Sequence, residues 1–345
     1  MQKLYKFFIY FSYVAVSISL FGNSSSEKIT LPVAISAGKS NFKAKLNQLF
    51  LETAYGKRPT LSRGPTIFVS DIMIYDENKG IGYAYGNLRF ADINDRIFMS
   101  AQEGTYYAKE EKIILRKVPE ILVEQSEFIS TRINGKIITV YPNEYYIHVQ
   151  GNIEIDDGET LISGKQAQIW TKKDRMIVSG DVQAETSEQI LTTDRLNVQF
   201  KNGSLDYYTA IGNVKAISKV DRFTLLSQFL TYRHTNGFFR ATDEPSIYFH
   251  EQETIAHANV IEYYRETQEG SLLGDVITLQ GDKSQKAFSR WALYSGKENK
   301  IRMLGNPRLE QNSSQLFGTE IIVNIDSNNM EILGGGRGFL DRLTQ

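Results

Sequence analysis

Hydrophobic and polar residues alternate with a period of two along most of the chain after residue 60, in segments of four to six residues. Examples are Leu196-Asn197-Val198 and Trp291-Ala292-Leu293, and turn sequences such as Asp156-Asp157-Gly158 separate such segments. Successive side chains of a β-strand point to opposite faces, so this pattern indicates strands. The sequence therefore predicts an all-β fold.

A second pattern is confined to the segment from Asn41 to Tyr55. Its apolar and small residues recur at helical spacing and would share one face of a helix: Phe42, Leu46, Leu49, Phe50 and Thr53. Gly56 follows as a helix stop. We predict a short helix over residues 41–55.

The chain also repeats itself. A Gly-Asn or Gly-Asp pair followed by an apolar residue or proline recurs at Gly86-Asn87-Leu88, Gly151-Asn152-Ile153, Gly180-Asp181-Val182, Gly212-Asn213-Val214, Gly274-Asp275-Val276 and Gly305-Asn306-Pro307. Two gaps of double length each hold a degenerate junction, Lys117-Val118-Pro119 and Asp243-Glu244-Pro245. The mean interval between junctions is about 31 residues, and an apolar-small pair such as Ile162-Ser163 follows each junction.

The junctions predict corners between strands. Glycine adopts positive φ at no steric cost, and Asn or Asp can bond the backbone of its own turn. A repeat of this length buries by stacking a face that no single unit could bury alone. We predict one repeat domain over residues 65–335, preceded by an N-terminal segment at 27–64 and followed by a C-terminal tail at 336–345.

The first residues have the pattern of an export signal. Lys3 and Lys6 precede an apolar stretch from Phe7 to Phe21, and Gly22 to Ser26 are small or polar. The apolar run is shorter than the roughly 20 residues that span a bilayer comfortably. We predict a signal peptide over residues 1–26 and a periplasmic mature protein, with membrane anchoring as the alternative if the leader is retained.

Composition and charge exclude several kinds of function. A formal net charge of −1 gives no general attraction for nucleic acid, and the absence of cysteine excludes disulfides, thiolate metal sites and a cysteine nucleophile. The four histidines, His148, His234, His250 and His257, have no metal-binding spacing. We therefore predict no enzyme activity, no metal, no cofactor and no nucleic-acid partner.

The repeat resembles a known family. Export, the Gly-Asn-Val junctions and the alternating Tyr-rich strands are similar to the organic-solvent-tolerance A (OstA-like) family, most clearly over residues 71–88 and 151–214. That family includes the lipopolysaccharide-transport proteins LptA and LptC. The resemblance implies an elongated, open, V-shaped β-jellyroll that shelters the acyl chains of lipopolysaccharide, and partners of the same fold in the inner and outer membranes.

Alternation also selects an interior face, which is either a packed core or a lipid groove. Family resemblance favours the groove, since each buried methylene of a ligand contributes about 0.8 kcal/mol. The candidate lipid-binding residues are Leu88, Phe90, Ile153, Ile155, Ile162, Ile169, Val182, Leu191, Val198, Val214, Leu226, Val276, Leu293, Ile321 and Val323.

The function expected from this resemblance is a periplasmic bridge that carries lipopolysaccharide or a similar amphiphile between membranes. An LptC-like anchored component and a structural or adhesive β-solenoid without lipid are the alternatives. Strands near Thr66 to Tyr75 and Met330 to Leu333 are expected to be unpaired edges that allow head-to-tail self-association, with the predicted helix over the first of them.

Overall fold

The computed structural model describes residues 34–94, 96–124, 130–141, 144–170, 172–201, 204–220, 222–250, 253–280, 285–311, 314–324 and 330–339. Within these ranges, regular structure consists of 30 β-strands and two short 3-10 helices, η1 (Ala44–Leu46) and η2 (His234–Asn236). The all-β prediction is confirmed. The predicted signal peptide, residues 1–26, lies outside the described residues.

The chain divides into two compact units. Unit 1 comprises residues 1–182 and 198–205, and unit 2 comprises residues 183–197 and 206–345. The strands within unit 1 are β1 (Ala34–Ser36), β2 (Lys39–Lys43), β3 (Gln48–Glu52), β4 (Thr60–Arg63), β5 (Thr66–Val69), β6 (Ile72–Asp76), β7 (Ile81–Asp92), β8 (Ile97–Tyr107), β9 (Lys112–Arg116), β10 (Glu120–Glu124), β11 (Ser130–Asn134), β12 (Ile137–Tyr141), β13 (Tyr146–Asp156) and β14 (Leu161–Trp170).

Three strands contain residues of both units: β15 (Arg175–Glu185), β16 (Gln189–Lys201) and β17 (Ser204–Ser218). The strands that follow in unit 2 are β18 (Phe223–Arg233), β19 (Phe238–Thr242), β20 (Ser246–Phe249), β21 (Thr254–His257), β22 (Val260–Tyr264), β23 (Glu269–Gln280), β24 (Gln285–Ser295), β25 (Lys300–Leu304), β26 (Arg308–Gln311), β27 (Ser314–Phe317), β28 (Glu320–Asn324), β29 (Met330–Leu333) and β30 (Arg337–Phe339).

Unit 1 contains two antiparallel ladders that share its long strands. Ladder A runs through β2, β3, β6, the first half of β7, the second half of β8, β9, β12, the first half of β13 and the second half of β14. Ladder B runs through β1, β4, β5 and the other halves of β7 and β8, and then β10, β11 and the other halves of β13 and β14. Each long strand therefore crosses from one ladder to the other.

Unit 2 repeats this arrangement. Ladder C contains the first half of β17, the second half of β18, β19, β22, the first half of β23, the second half of β24, β25, β28 and β29. Ladder D contains the remaining halves of β17, β18, β23 and β24 together with β20, β21, β26, β27 and β30.

The long strands change ladder at the predicted junctions. Gly151 and Asn152 have φ of 78° and 47°, and the register of β13 against β14 shifts between Gln150 and Ile153. Two residues at positive φ and one extra residue form a β-bulge, which bends a strand. The same pair of positive φ angles occurs at all eight predicted junctions, including Lys117-Val118 and Asp243-Glu244. The structure thus confirms the junctions as corners.

Nearby side chains bond the junction asparagine at two of the bulges. Asn87 Nδ2 donates to Asp71 Oδ2 at 2.8 Å, and Gln102 Oε1 accepts from the Asn87 backbone N–H at 3.2 Å. Asn213 repeats both bonds, with Asp194 at 2.9 Å and Gln228 at 3.2 Å. Glycine is required beside Asn87 because a Cβ on Gly86 would lie 2.4 Å from an Asp71 oxygen.

Two further corners lie outside the predicted set. Tyr55 and Gly56 have φ of 53° and 71° between β3 and β4, and Gly334 and Gly335 both have φ of 79° between β29 and β30. Each lies about one repeat length from its neighbour along the chain. The glycine run at residue 334 is therefore a corner, and the tail predicted at 336–345 begins with β30, which pairs with β27. Residues 340–345 lie outside the described residues.

The predicted helix over residues 41–55 is wrong. Strands β2 and β3 form a hairpin there, with Asn41 paired to Phe50 and Asn47 at φ 49° closing the turn after η1. Among the described residues, β-structure is consequently present from Ala34 onward, well before residue 65. The predicted first edge at Thr66 to Tyr75 is also wrong, because β5 pairs with β4 and β7, and β6 pairs with β3 and β7.

Candidate functional site

An apolar cavity lies between ladders A and B at the start of unit 1. Its empty space is about 1020 Å³ when the part that is open solvent is included. Ladder A contributes Leu49, Leu51 and Met73, and ladder B contributes Phe68 and Phe90. Leu51, Met73 and Phe90 are buried, so the cavity is bounded by side chains of the hydrophobic core.

The lining is almost entirely apolar, with phenols at one end. Tyr75 and Tyr106 both line the cavity. Burial raises the pKa of Tyr106 to about 12, with smaller contributions from Glu111 and Tyr75. Burial is also the main reason that the pKa of Tyr75 is raised above its usual value. Both hydroxyls therefore stay protonated at neutral pH.

The interior of unit 1 is closed beyond this cavity. Ile121, Ile133, Ile147 and Val149 lie on the inner faces of ladders A and B and have no exposed surface. Side chains packed this tightly leave no room for a ligand without rearrangement. This part of unit 1 is a packed core.

A second, partly open cavity lies between ladders C and D in unit 2, with about 570 Å³ of empty space when its opening to solvent is included. Its lining is more aromatic and more polar than that of unit 1. Tyr208, Tyr232 and Phe239 contribute from ladder C, Phe223 contributes from ladder D, and Arg265 lies beside them. The phenol rings of Tyr208 and Tyr232 stack with centroids 5.1 Å apart.

Aromatic rings join the two ladders along the open side of unit 2, opposite the bulges. Phe223 of ladder D lies 6.2 Å from Phe239 of ladder C, and Phe249 lies 6.3 Å from Tyr294 between ring centroids. Deeper positions of ladder C hold small residues, since Ala241 and Ala292 are fully buried. The interior of unit 2 is therefore lined by alanine at its deeper positions and by aromatic rings along its open side.

Most predicted lining residues are buried, as their inward assignment requires. Those with at most 7% exposure are Leu88, Phe90, Ile153, Ile155, Ile169, Val182, Leu191, Val198, Val214, Val276 and Ile321. Ile162 and Val323 are half-buried. Leu88 and Phe90 line the cavity of unit 1, and Leu191 lines that of unit 2. Their contact with lipid stays a prediction.

Two of the predicted lining residues face outward. Leu226 is 46% exposed and Leu293 is 41% exposed, whereas their neighbours Leu225 and Ala292 are 1% and 0% exposed. Alternation fixes only that adjacent residues face opposite ways, and it does not decide which of the two faces the interior. In β24 the smaller Ala292 occupies the interior position, and in β18 the equally large Leu225 does. The predictions for Leu293 and Leu226 are therefore wrong.

Several residues of the two cavities escaped the sequence prediction. Leu49 and Leu51 were assigned to a helix, and Leu61 lies in the segment before the predicted repeat. Tyr208 and Tyr232 were not counted as lining because only aliphatic residues and Phe90 were selected. The junction at Tyr55-Gly56, one repeat length before Gly86-Asn87, was the signal that could have found the first three.

The described part of the chain offers neither a clustered metal site nor a helical membrane span. Its residues include no group of three or more His, Asp or Glu side chains placed to hold a metal ion. Within the same ranges, no helix has the length and apolar character needed to cross a bilayer.

The fold and its cavities define a repeat β-protein with apolar space between paired ladders. The sequence family described as "LptA/(LptD N-terminal domain) LPS transport protein" matches residues 161–329. The match spans just under half of the chain, and it confirms the resemblance to the OstA-like lipopolysaccharide-transport proteins.

Two other comparisons were made. No curated protein matches the chain. Among solved structures, a match is the crystal structure of LptH, described as the LptA homologous periplasmic component of the conserved lipopolysaccharide transport device from Pseudomonas aeruginosa. It is 10% identical, covers 53% of this chain and 94% of LptH, and has a TM-score of 0.16, so residue roles are not transferred from it.

Proposed function

We propose that this protein is a periplasmic lipid carrier that binds lipopolysaccharide or a similar amphiphile between its ladders and takes part in moving it from the inner to the outer membrane. The observation that carries the proposal is the apolar cavity of about 1020 Å³ in unit 1. The family of residues 161–329 supports the choice of lipopolysaccharide as the lipid.

The size and lining of this cavity suit acyl chains. Each methylene transferred from water to such a lining contributes about 0.8 kcal/mol, so a single chain of about twelve carbons is held without any specific polar contact. Ile35, at the first edge of ladder B, lines the cavity and is 45% exposed. An acyl chain can therefore enter the cavity of unit 1 from this side.

Strand β5 offers a matched pair of variants. Phe68 lines the cavity and pairs with Phe90, whereas its neighbour Ile67 pairs with Ala91 and is not part of the lining. Both side chains are half-buried. A carboxylate at residue 68 would stand in the path of an acyl chain, and one at residue 67 would not.

The test is to isolate wild-type protein, Phe68→Asp and Ile67→Asp from the native envelope and identify bound lipid by mass spectrometry. We expect lipopolysaccharide on the wild type and on Ile67→Asp, and its loss from Phe68→Asp. Thermal melts of the three proteins control for folding. Wild-type protein without lipid, or lipid retained equally by both variants, would contradict the proposal.

The packed middle of unit 1 favours a second candidate, a structural β-repeat that binds no lipid. Ile121 and Ile133 leave no space there for an acyl chain. Under this alternative the cavity of unit 1 is only an imperfectly filled end of the core. Absence of lipid from the native protein, together with no binding of added lipopolysaccharide, would support this function over the first.

A further inference from the structure

An ion pair crosses the open side of unit 2. Arg265 Nη2 lies 2.9 Å from Glu188 Oε2, although the two residues are 77 positions apart in the sequence. The backbone N–H of Arg265 bonds the Gly237 carbonyl at 3.1 Å, which places it at the strand tips of ladder C. The Glu188 carbonyl accepts from the Lys219 N–H at 2.8 Å, which places it at the strand tips of ladder D.

Arg265 also borders the cavity between these ladders. Among the described residues that line this cavity, it is the one charged side chain, and the others are mainly aromatic or aliphatic. An amphiphile whose chain lay between Tyr208, Phe239 and Leu225 would bring its headgroup to the strand tips. The guanidinium is therefore placed where a headgroup would be.

The existing pair is open to exchange. The side chains of Arg265 and Glu188 are 44% and 50% exposed, and ion pairs this exposed are weak because water screens them. A ligand anchored by its chain presents its headgroup at high effective concentration. Glu188, whose side chain is already half exposed, can return to solvent.

Nearby groups fit an anionic headgroup. The guanidinium has only donors and matches phosphate or carboxylate with two parallel hydrogen bonds. Burial raises the pKa of Tyr232 above its usual value, with Arg265 opposing that shift, so the phenol stays protonated beside the guanidinium. The neighbouring cation Lys219 is bonded to Glu185 at 3.0 Å.

We propose that Arg265 is the headgroup-binding and specificity-determining residue of the unit 2 cavity for amphiphiles with a phosphate or carboxylate head, and that Glu188 holds its guanidinium until the ligand anion displaces it. This inference rests on the proposed function in requiring an acyl chain between the ladders. It adds a preference for charge that the apolar lining does not provide.

Dodecyl phosphate and dodecyl maltoside test the proposal, since they share a twelve-carbon chain and differ in headgroup. Binding to the full chain is measured by calorimetry below their micelle concentrations. We expect Arg265→Gln to weaken dodecyl phosphate about tenfold, the loss of one charge-assisted hydrogen-bond pair, and to leave dodecyl maltoside within about twofold. Glu188→Gln removes the competitor and should tighten dodecyl phosphate about twofold to fivefold.

The control is Arg240→Gln, which removes an arginine from the outward face of ladder C. Its partner Glu262 lies at 3.1 Å, and its side chain is 53% exposed, similar to Arg265. This variant should change neither affinity. Inorganic phosphate should not compete with dodecyl phosphate at equal concentration, and competition there would assign the site to free phosphate and overturn the proposal.

The remaining outcomes distinguish failure of this inference from failure of the proposed lipid-carrier function. If the wild type binds neither dodecyl compound, the lipid-carrier function itself fails. If it binds both and Arg265→Gln weakens both equally or neither, only the role of Arg265 is refuted. Should Arg265→Gln fail to fold, Glu188→Gln decides, because weaker or unchanged binding of dodecyl phosphate by that variant contradicts displacement.

Discussion

Strand β24 gives a sharp test of which face of ladder C is interior. Ala292 is fully buried, with Leu272 and Met303 as its cross-strand neighbours, whereas Leu293 is 41% exposed and pairs with Ser271 and Arg302. We compare Ala292→Asp with Leu293→Asp. The same carboxylate is introduced at adjacent positions, and only the facing differs.

The magnitudes follow from burial. At position 292 the carboxyl must stay protonated, which at pH 7 costs about 4 kcal/mol relative to a free aspartate, and overpacking adds about 1–3 kcal/mol. At position 293 the loss is part of one leucine's burial, about 1–2 kcal/mol, offset by up to about 1 kcal/mol from the facing Arg302. For a unit of this size, 1 kcal/mol shifts the Tm by about 2–4 °C.

Thermal melts followed by circular dichroism should therefore show a Tm loss of more than about 10 °C for Ala292→Asp and less than about 8 °C for Leu293→Asp. The buried carboxyl has its pKa raised in the folded state, so its penalty is absent below the unfolded pKa of about 3.9 and grows as pH rises. The deficit of Ala292→Asp should shrink on moving from pH 7 to pH 4. Equal losses, or a larger loss for Leu293→Asp, would refute the assignment of faces.

Three more expectations concern unit 1 and the sheet edges. Ile169 is 1% exposed and its neighbour Gln168 is half-buried. Ile169→Asp should therefore abolish the cooperative thermal melt, whereas Gln168→Asp should keep it. Similar melts for the two variants would contradict this assignment of faces. Because the pKa of Tyr106 is raised to about 12, the unfolded state loses the phenol proton before the folded state does. The stability of the fold should therefore fall between pH 10 and 12, and the fall should be smaller in Tyr106→Phe. Ultraviolet titration and thermal melts would measure these two effects. In this cysteine-free chain, Ser40→Cys in β2 with Glu331→Cys in β29 should give an oxidised ladder of multimers if the edges associate head to tail, while each single variant gives at most dimers; no ladder would refute this association.

The corners of the fold could be predicted from sequence because their chemistry is local. Gly151-Asn152 requires positive φ at two successive residues, and few residue types supply it at low cost. The spacing then identified the degenerate corner at Lys117-Val118, where neither residue type would have been selected alone. The backbone conformation that each corner requires, together with the regular spacing of the corners, was sufficient to locate them in the sequence.

Other features depend on packing that no local pattern records. The spacing of Phe42, Leu46 and Leu49 fits a helix, yet ladder A extends to β2 and β3, and pairing with β6 decides their structure. Likewise, the choice between Ala292 and Leu293 depends on how close ladder D lies to that point of ladder C. The position of the cavities depends on where such side chains fall short of filling the interior, which composition does not reveal.

The bulge network has a consequence for the evolution of chain length. Asn87 is bonded by Asp71, 16 residues before it, and by Gln102, 15 residues after it. Asn213 is bonded by Asp194 and Gln228 in a similar way. Duplication or deletion of one whole repeat, about 31 residues, places one corner where another stood, so the strands on both sides of the seam keep their register. A gain or loss of any other size must be absorbed in the hairpin turns, where no corner bond depends on it. Homologous chains should accordingly differ in length by whole repeats, with the remaining variation confined to those turns.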